Sequence, residues 1–224
     1  MTMKARGANA KLDSAAIYDQ LRSDILSCRL PPGAPIYEQD LGRRFGVSKS
    51  PVREALVRLR DQNLVEVKAR SGHWVRPISL SEVDEMYEIR LVYEQACVDL
   101  AIKHYDADML AELAELADCK DVTSIEEWIP ANRRFHDGLA RASGNRRFAQ
   151  ITSNFNGLFD RFTHISATRM AEPRNFAGLV AEHQALVEAI ARRDRKTAAK
   201  LIRRHVEASH KRTLAAFNTP MFVA

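Results

Sequence analysis

Three histidines in this 224-residue sequence sit where polar side chains need a reason to be. His136 lies near Trp128, Ile129 and Leu139, His183 near Phe176, Val180 and Leu186, and His205 near Leu201 and Ile202, so each falls on the apolar face of a helical pattern. An inward imidazole needs partners for its ring nitrogens. Asn132 precedes His136 by four residues, which puts an amide oxygen on the same helix face. His183 stands eleven residues before Asp194 and His205 eleven after it. With Asp194 in the turn of an antiparallel helix pair, a rise of ~1.5 Å per residue puts both rings about 16 Å from the turn, where one ion can bridge them. Three neutral imidazoles and the Asn132 oxygen form a mixed N/O donor set that suits Zn, Ni, Fe or Mn, with positions left for a ligand carboxylate. The competing reading makes all three histidines hydrogen-bonded core residues.

A second group of residues points to nucleic acid. Ser48, Lys49, Ser50 and Arg53 open a helical pattern, 48–62, whose other face carries Val52, Leu56 and Leu59; a shorter helix, 38–45, and a Gly46-Val47 turn precede it. In a helix-turn-helix the second helix enters the major groove by its N-terminal residues, so polar and basic side chains belong there. Lys49 and Arg53 suit guanine acceptors or phosphates, and Ser48 and Ser50 suit phosphates or base edges. The alternative is an ordinary solvated helix that Ser48 merely caps. Charge favours the first reading: residues 1–80 hold 14 Lys and Arg against 8 Asp and Glu, while residues 81–224 hold 20 against 21. The whole basic excess is N-terminal, as a polyanion partner for that part alone would require.

The elements that position these groups follow from periodicity and breakers. Residues 1–10 read as a flexible tail. Asp13 or Ser14 caps a helix carrying Ile17, Leu21, Ile25 and Leu26, which Pro31-Pro32-Gly33 ends. After Asn63, strands over 64–67 and 74–77 flank the basic turn Arg70-Ser71-Gly72, the pattern of a wing. Pro77 to Ser79 marks a boundary, and Ser81 with Asp84 and Glu85 opens a wholly helical stretch with helices expected over 81–104, 106–118, 124–142, 146–169, 173–192 and 195–217. The expected fold is therefore mainly α: a winged helix-turn-helix domain over 11–77, then an all-α antiparallel bundle of six or seven helices over 78–224.

Composition is that of a soluble globular chain, with 46% apolar and 28% charged residues. Cys28, Cys97 and Cys119 have neither disulfide-framework nor zinc-ribbon spacing and read as reduced, mostly buried thiols. With no apolar signal core and no run of 18 apolar residues, the expected location is the cytoplasm. No HExxH, GxSxG or phosphate-loop pattern is present, which argues against a metal-dependent hydrolase or any other enzyme.

The stretch Leu30-Pro-Pro-Gly33, Leu41, Phe45-Gly-Val-Ser48, Pro51-Val-Arg-Glu-Ala-Leu56, Leu59, Leu64-Val65 and Gly72 resembles the DNA-binding domain of the GntR family. The resemblance implies recognition-helix contacts from Ser48, Lys49, Ser50 and Arg53 and wing contacts from Arg70, Gly72 and His73. Lys49 stands where the family usually has Arg, and Asn63 where it usually has Gly; Asn tolerates the left-handed turn better than most residues. Arg90 with Glu94, Asn132-Arg-Arg-Phe-His136, Ser143-Gly-Asn145, Glu182-His183 and Arg204-His205 resemble the FCD ligand-binding domain of FadR-type members. That resemblance implies a divalent metal held by Asn132, His136, His183 and His205, with Asn132 replacing the usual Asp. It also implies a small carboxylate effector such as a sugar acid, hydroxy acid or organic acid, with Arg90 as its partner unless Arg90 only pairs with Glu94. Asn154, Arg161, His164 and Thr168 form a polar stripe, either a solvated face or a pocket wall opposite Ile151, Phe155, Leu158, Phe162 and Ile165. A homodimer on an inverted-repeat operator is expected because one helix-turn-helix reads only a few base pairs and symmetric dimers match palindromic half-sites; the resemblance implies a repressor released by the effector, and an effector-independent DNA-binding protein is the alternative.

Overall fold

The computed structural model describes residues 12–69, 71–119, 121–169 and 176–218. The expected tail over 1–10, Arg70, and the expected helix start at 173–175 lie outside the described residues. The chain divides into two compact units, Met1–Pro77 and Ile78–Ala224.

In the first unit α1 (Ser14–Leu26) begins where Asp13 accepts a hydrogen bond from the Ala16 amide. Its apolar positions Ile17, Leu21 and Ile25 are fully buried. A two-residue strand, β1 (Pro35–Ile36), comes before α2 (Glu38–Phe45), which Gly46 ends in the left-handed conformation at φ 66°. There a glycine avoids the strain a Cβ would meet. α3 (Lys49–Asp61) buries Val52, Ala55, Leu56 and Leu59 completely and packs against α1. Deleting the Leu56 side chain would cost about 2–5 kcal/mol. β2 (Val65–Lys68) and β3 (Gly72–Val75) form the antiparallel wing.

The wing differs from expectation in several respects: β2 runs one residue further, to Lys68, and β3 begins two residues early, at Gly72, because the Lys68–Gly72 pair extends the ladder. β1 is too short to show periodicity, yet it pairs with β3 to give the order β1-β3-β2, and the Val75 amide bonds Ala34 O. β2 starts one residue later than expected because the Leu64 amide is tied back to Leu59 O, with Asn63 in the left-handed region at φ 56°. β3 stops at Val75: the Arg76 amide donates to Leu64 O, and Pro77 has no N–H to continue the ladder.

Six helices make up the described part of the second unit: α4 (Leu80–Lys103), α5 (Ala107–Ala117), α6 (Ile125–Ala142), α7 (Arg146–Arg169), α8 (Phe176–Ala191) and α9 (Arg195–Asn218). Side-chain caps fix the starts of α4, α6 and α9. Ser79, rather than Ser81, accepts from the Glu82 amide, while the Ser81 hydroxyl turns to Glu85. Ser124 and Glu127 form a reciprocal capping box at α6, and Asp194 accepts from the Thr197 amide to open α9. α4 lies along α9 and α6 along α7. Val83, Cys97, Phe135, Leu139, Phe159, Ile190 and Ile202 belong to one shared core. Cys97 is buried, but Cys28 and Cys119 are half-buried, and all three are free thiols. Among the described residues no helix is long and apolar enough to cross a membrane.

Candidate functional site

Ser48, Lys49, Ser50 and Arg53 are all exposed at the start of α3. Ser48 occupies the N-cap position, but its hydroxyl makes no capping hydrogen bond, so it remains available to another acceptor or donor. Arg53 is not a bare cation: its Nε donates to Glu38 Oε2 at 2.8 Å. Glu38 Oε1 in turn lies 3.9 Å from His73 Nδ1 on β3. The first residue of α2 thus bridges the recognition helix and the wing, a role that sequence reasoning missed because nothing in the spacing of Glu38, Arg53 and His73 reveals it. Gly72, the first residue of β3, is exposed at φ 80°.

In the second unit His136 from α6, His183 from α8 and His205 from α9 come together, each less than 7% exposed. One ring nitrogen of each lies within 4.8 Å of the others. α8 and α9 achieve this as a hairpin whose turn ends at Asp194, and α6 supplies the third ring. Phe135 stacks on His183 at 3.9 Å between ring centroids, and Trp128 stacks at 5.6 Å, which fixes the His183 ring plane. Asn132 is half-buried one helical turn before His136 on α6.

α4 adds two charged groups to the cluster. Arg90 Nε donates to Glu94 Oε1 at 2.8 Å, and Arg90 Nη2 lies 2.8 Å from His136 Nε2. A guanidinium can only donate, so Nε2 accepts and the His136 proton belongs on Nδ1. Nδ1 lies 3.0 Å from Glu94 Oε1, close enough for charge attraction but not aligned as a hydrogen bond. His205 Nδ1 has its own carboxylate, Glu182 Oε2, at 2.8 Å. Arg90 therefore does pair with Glu94, but the pair is buried at 3% and 1% exposure and also engages an imidazole.

Burial pushes the His136 imidazolium down to about 4, against the opposing pull of Glu94. It also holds His183 well below the ordinary value, with His205 and His136 adding to the effect. Burial alone would raise the Glu94 carboxyl, but Arg90, and then His136, outweigh it and hold the group well below the usual carboxylate range. The hydrogen bond with His205 lowers Glu182 despite its partial burial. His136 and His183 are consequently neutral at pH 7, the form in which imidazole ligates a metal. His183 Nε2 is fully buried with no hydrogen-bond partner. A buried polar atom left so costs about 1–3 kcal/mol, and a bound cation would remove that cost. The cluster fits a divalent ion.

The expected polar stripe on α7 divides. Arg161 is buried and His164 half-buried, whereas Asn154 and Thr168 are exposed. Ile151, expected on the inner face, is 58% exposed. Thr152 takes the inner position instead, its hydroxyl bonded back to Phe148 O and Ala149 O, which makes its burial tolerable. The buried polar residues of α7 also include Asn156 and Asp160. Tyr93 OH donates to Asn156 Oδ1 at 2.6 Å, and Asn156 Nδ2 donates to Asp137 Oδ1 at 2.7 Å. The repeat of Thr152, Asn156 and Asp160 at four-residue spacing was the sequence signal for this layer.

A winged helix-turn-helix joined to a helical unit with a buried three-histidine cluster defines a class of DNA-binding regulator. The family models agree: residues 13–75 match the bacterial regulatory proteins of the gntR family, and residues 85–208 match the FCD domain. The chain belongs to the GntR family of bacterial transcription regulators, in the group that carries an FCD domain. It is similar to the HTH-type transcriptional regulator YdhC of Bacillus subtilis, 29% identical over 84% of this chain and 85% of that one. It is also similar to the HTH-type transcriptional repressor RspR of Escherichia coli, 24% identical over 85% of this chain and 84% of that one. The solved structure of E. coli McbR/YncC shares the fold, with a TM-score of 0.77 at 22% identity over 92% of this chain and 98% of that one. YdhC and RspR are named as regulators of transcription, not as enzymes.

Proposed function

We propose that this regulator is a homodimeric repressor that leaves an inverted-repeat operator when a small carboxylate binds beside a divalent metal in its second unit. The observation that carries the reading is the convergence of the buried Arg90 guanidinium on His136 within the three-histidine cluster. Asn132, His136, His183 and His205 would hold Zn, Ni, Fe or Mn, and the ion would act as a Lewis acid toward a carboxylate oxygen. Arg90 would supply the complementary donors for that carboxylate, and Arg161 and His164 of α7 are further candidate contacts to it. Ser48, Lys49, Ser50 and Arg53 read the operator, and Arg70, Gly72 and His73 hold its backbone from the wing. Repression is supported by similarity to RspR, which is named a repressor.

The dimer is supported by Ile89 and Val92, three residues apart on α4 and 43% and 70% exposed, and by the match between two-fold symmetry and palindromic half-sites. Val92→Asp should shift the molecular mass measured by light scattering from dimer toward monomer. The functional test is a thermal-shift screen of organic and sugar acids, with and without divalent metal, followed by operator release. An acid that raises the melting temperature only with metal present, and also releases operator DNA, bears out the reading. Acid binding that is indifferent to metal in wild type and His183→Ala alike refutes the role of the metal.

A further inference from the structure

Asn132 and three imidazole ligands bring no negative charge to a dication held among buried side chains. A buried dication is held only if negative charge lies close by. Two carboxylates occupy the positions from which such charge acts through a ligand. Glu94 Oε1 lies 3.0 Å from His136 Nδ1, and its other oxygen is fully buried with no hydrogen-bond partner. Glu182 Oε2 lies 2.8 Å from His205 Nδ1.

We propose that Glu94 and Glu182 are the anionic positioning residues of the metal centre, each acting through the Nδ1 of one ligand histidine; this rests on the metal-binding reading above. A carboxylate beside Nδ1, by a hydrogen bond at His205 and by charge alone at His136, favours the proton there, leaves the Nε2 lone pair for the ion, and makes that nitrogen a stronger donor. At His136 the same lone pair accepts from Arg90 Nη2 at 2.8 Å, so the ion and the guanidinium compete for it. Metal loading therefore loosens Arg90 from His136 and frees its Nη2 donors for a ligand. Glu94 keeps Arg90 in place through Nε while this happens. The two glutamates thus set both the strength of the metal site and its coupling to the arginine.

The test is competitive titration of zinc against a chromophoric chelator, using full-length wild type, Glu94→Gln, Glu182→Gln and His183→Ala. Glutamine keeps an acceptor oxygen and removes the charge. Each glutamine variant should bind zinc about 10- to 100-fold more weakly than wild type, at unchanged stoichiometry, and the cobalt-loaded forms should keep the wild-type absorption bands because the same nitrogens ligate. Glu94→Gln strands the buried Arg90, so if it fails to fold, Glu182→Gln, whose side chain is 27% exposed, decides the matter alone. Zinc affinity within twofold of wild type in the folded glutamine variants, with His183→Ala impaired, overturns this proposal and leaves the metal site standing. Equal zinc binding by wild type and His183→Ala overturns both.

Discussion

Replacing Arg90 by Met removes one partner of a buried ion pair and leaves the other. Glu94 is 1% exposed and its Oε2 has no hydrogen-bond partner, so in the variant its charge faces only His136. Breaking such a pair costs about 3–5 kcal/mol, because an uncompensated charge stays buried. At about 2–4 °C per kcal/mol for a unit of this size, the melting temperature should fall by roughly 6–20 °C. Arg90→Met/Glu94→Met removes both charges and should recover most of the loss. The pH dependence has a definite sign. Without the guanidinium, His136 loses a repulsion and keeps its attraction to Glu94, so its folded-state pKa rises. With a folded-state pKa higher than in wild type, the variant loses less stability than wild type as pH falls, so its deficit should be smaller at pH 5.5 than at pH 8. The assay is thermal unfolding by circular dichroism of chelator-treated protein at both pH values. A single variant as stable as wild type, or a double variant as unstable as the single, would refute the electrostatic argument.

Three further outcomes are expected. In metal-free wild type the His136 pKa, lowered from 6.5 to about 4, gives stability that is intact above pH 6.5 and lost as pH falls toward 4. The full loss is about 3 kcal/mol, of which about 2 kcal/mol has occurred by pH 5, so the urea midpoint should be lower at pH 5 than at pH 7.5. Arg53→Ala should weaken specific operator binding by about 1–3 kcal/mol in fluorescence anisotropy. Its exposed pairing with Glu38 contributes at most about 1 kcal/mol to the free protein, so unchanged operator affinity would place the reading residues elsewhere. Asn132→Asp should tighten metal binding in calorimetric titration while raising the effector concentration needed for DNA release, because a more fully neutralised ion attracts an anion less.

What the sequence determined by itself was local. Cap residues, breakers and apolar spacing placed the helix starts and stops within a few residues, because a cap such as Asp13 or Asp194 bonds within its own turn. Asn63 showed the same thing: its left-handed φ is a property of that residue and its neighbours. The meeting of His183 and His205 was also readable, since two helices joined by a tight turn place residues equidistant from it at equal height. Tertiary structure decided what depends on helix rotation and on contacts between distant elements. Packing around the start of α7 buried Thr152 and exposed Ile151, an outcome that periodicity alone does not fix. Glu38 reached Arg53 and His73 only because α2, α3 and β3 pack together. His136 met Arg90 across 46 residues of chain, and Glu94 beside it, with all three side chains buried. There, desolvation and charge, which no single stretch of sequence encodes, set which nitrogen holds the proton.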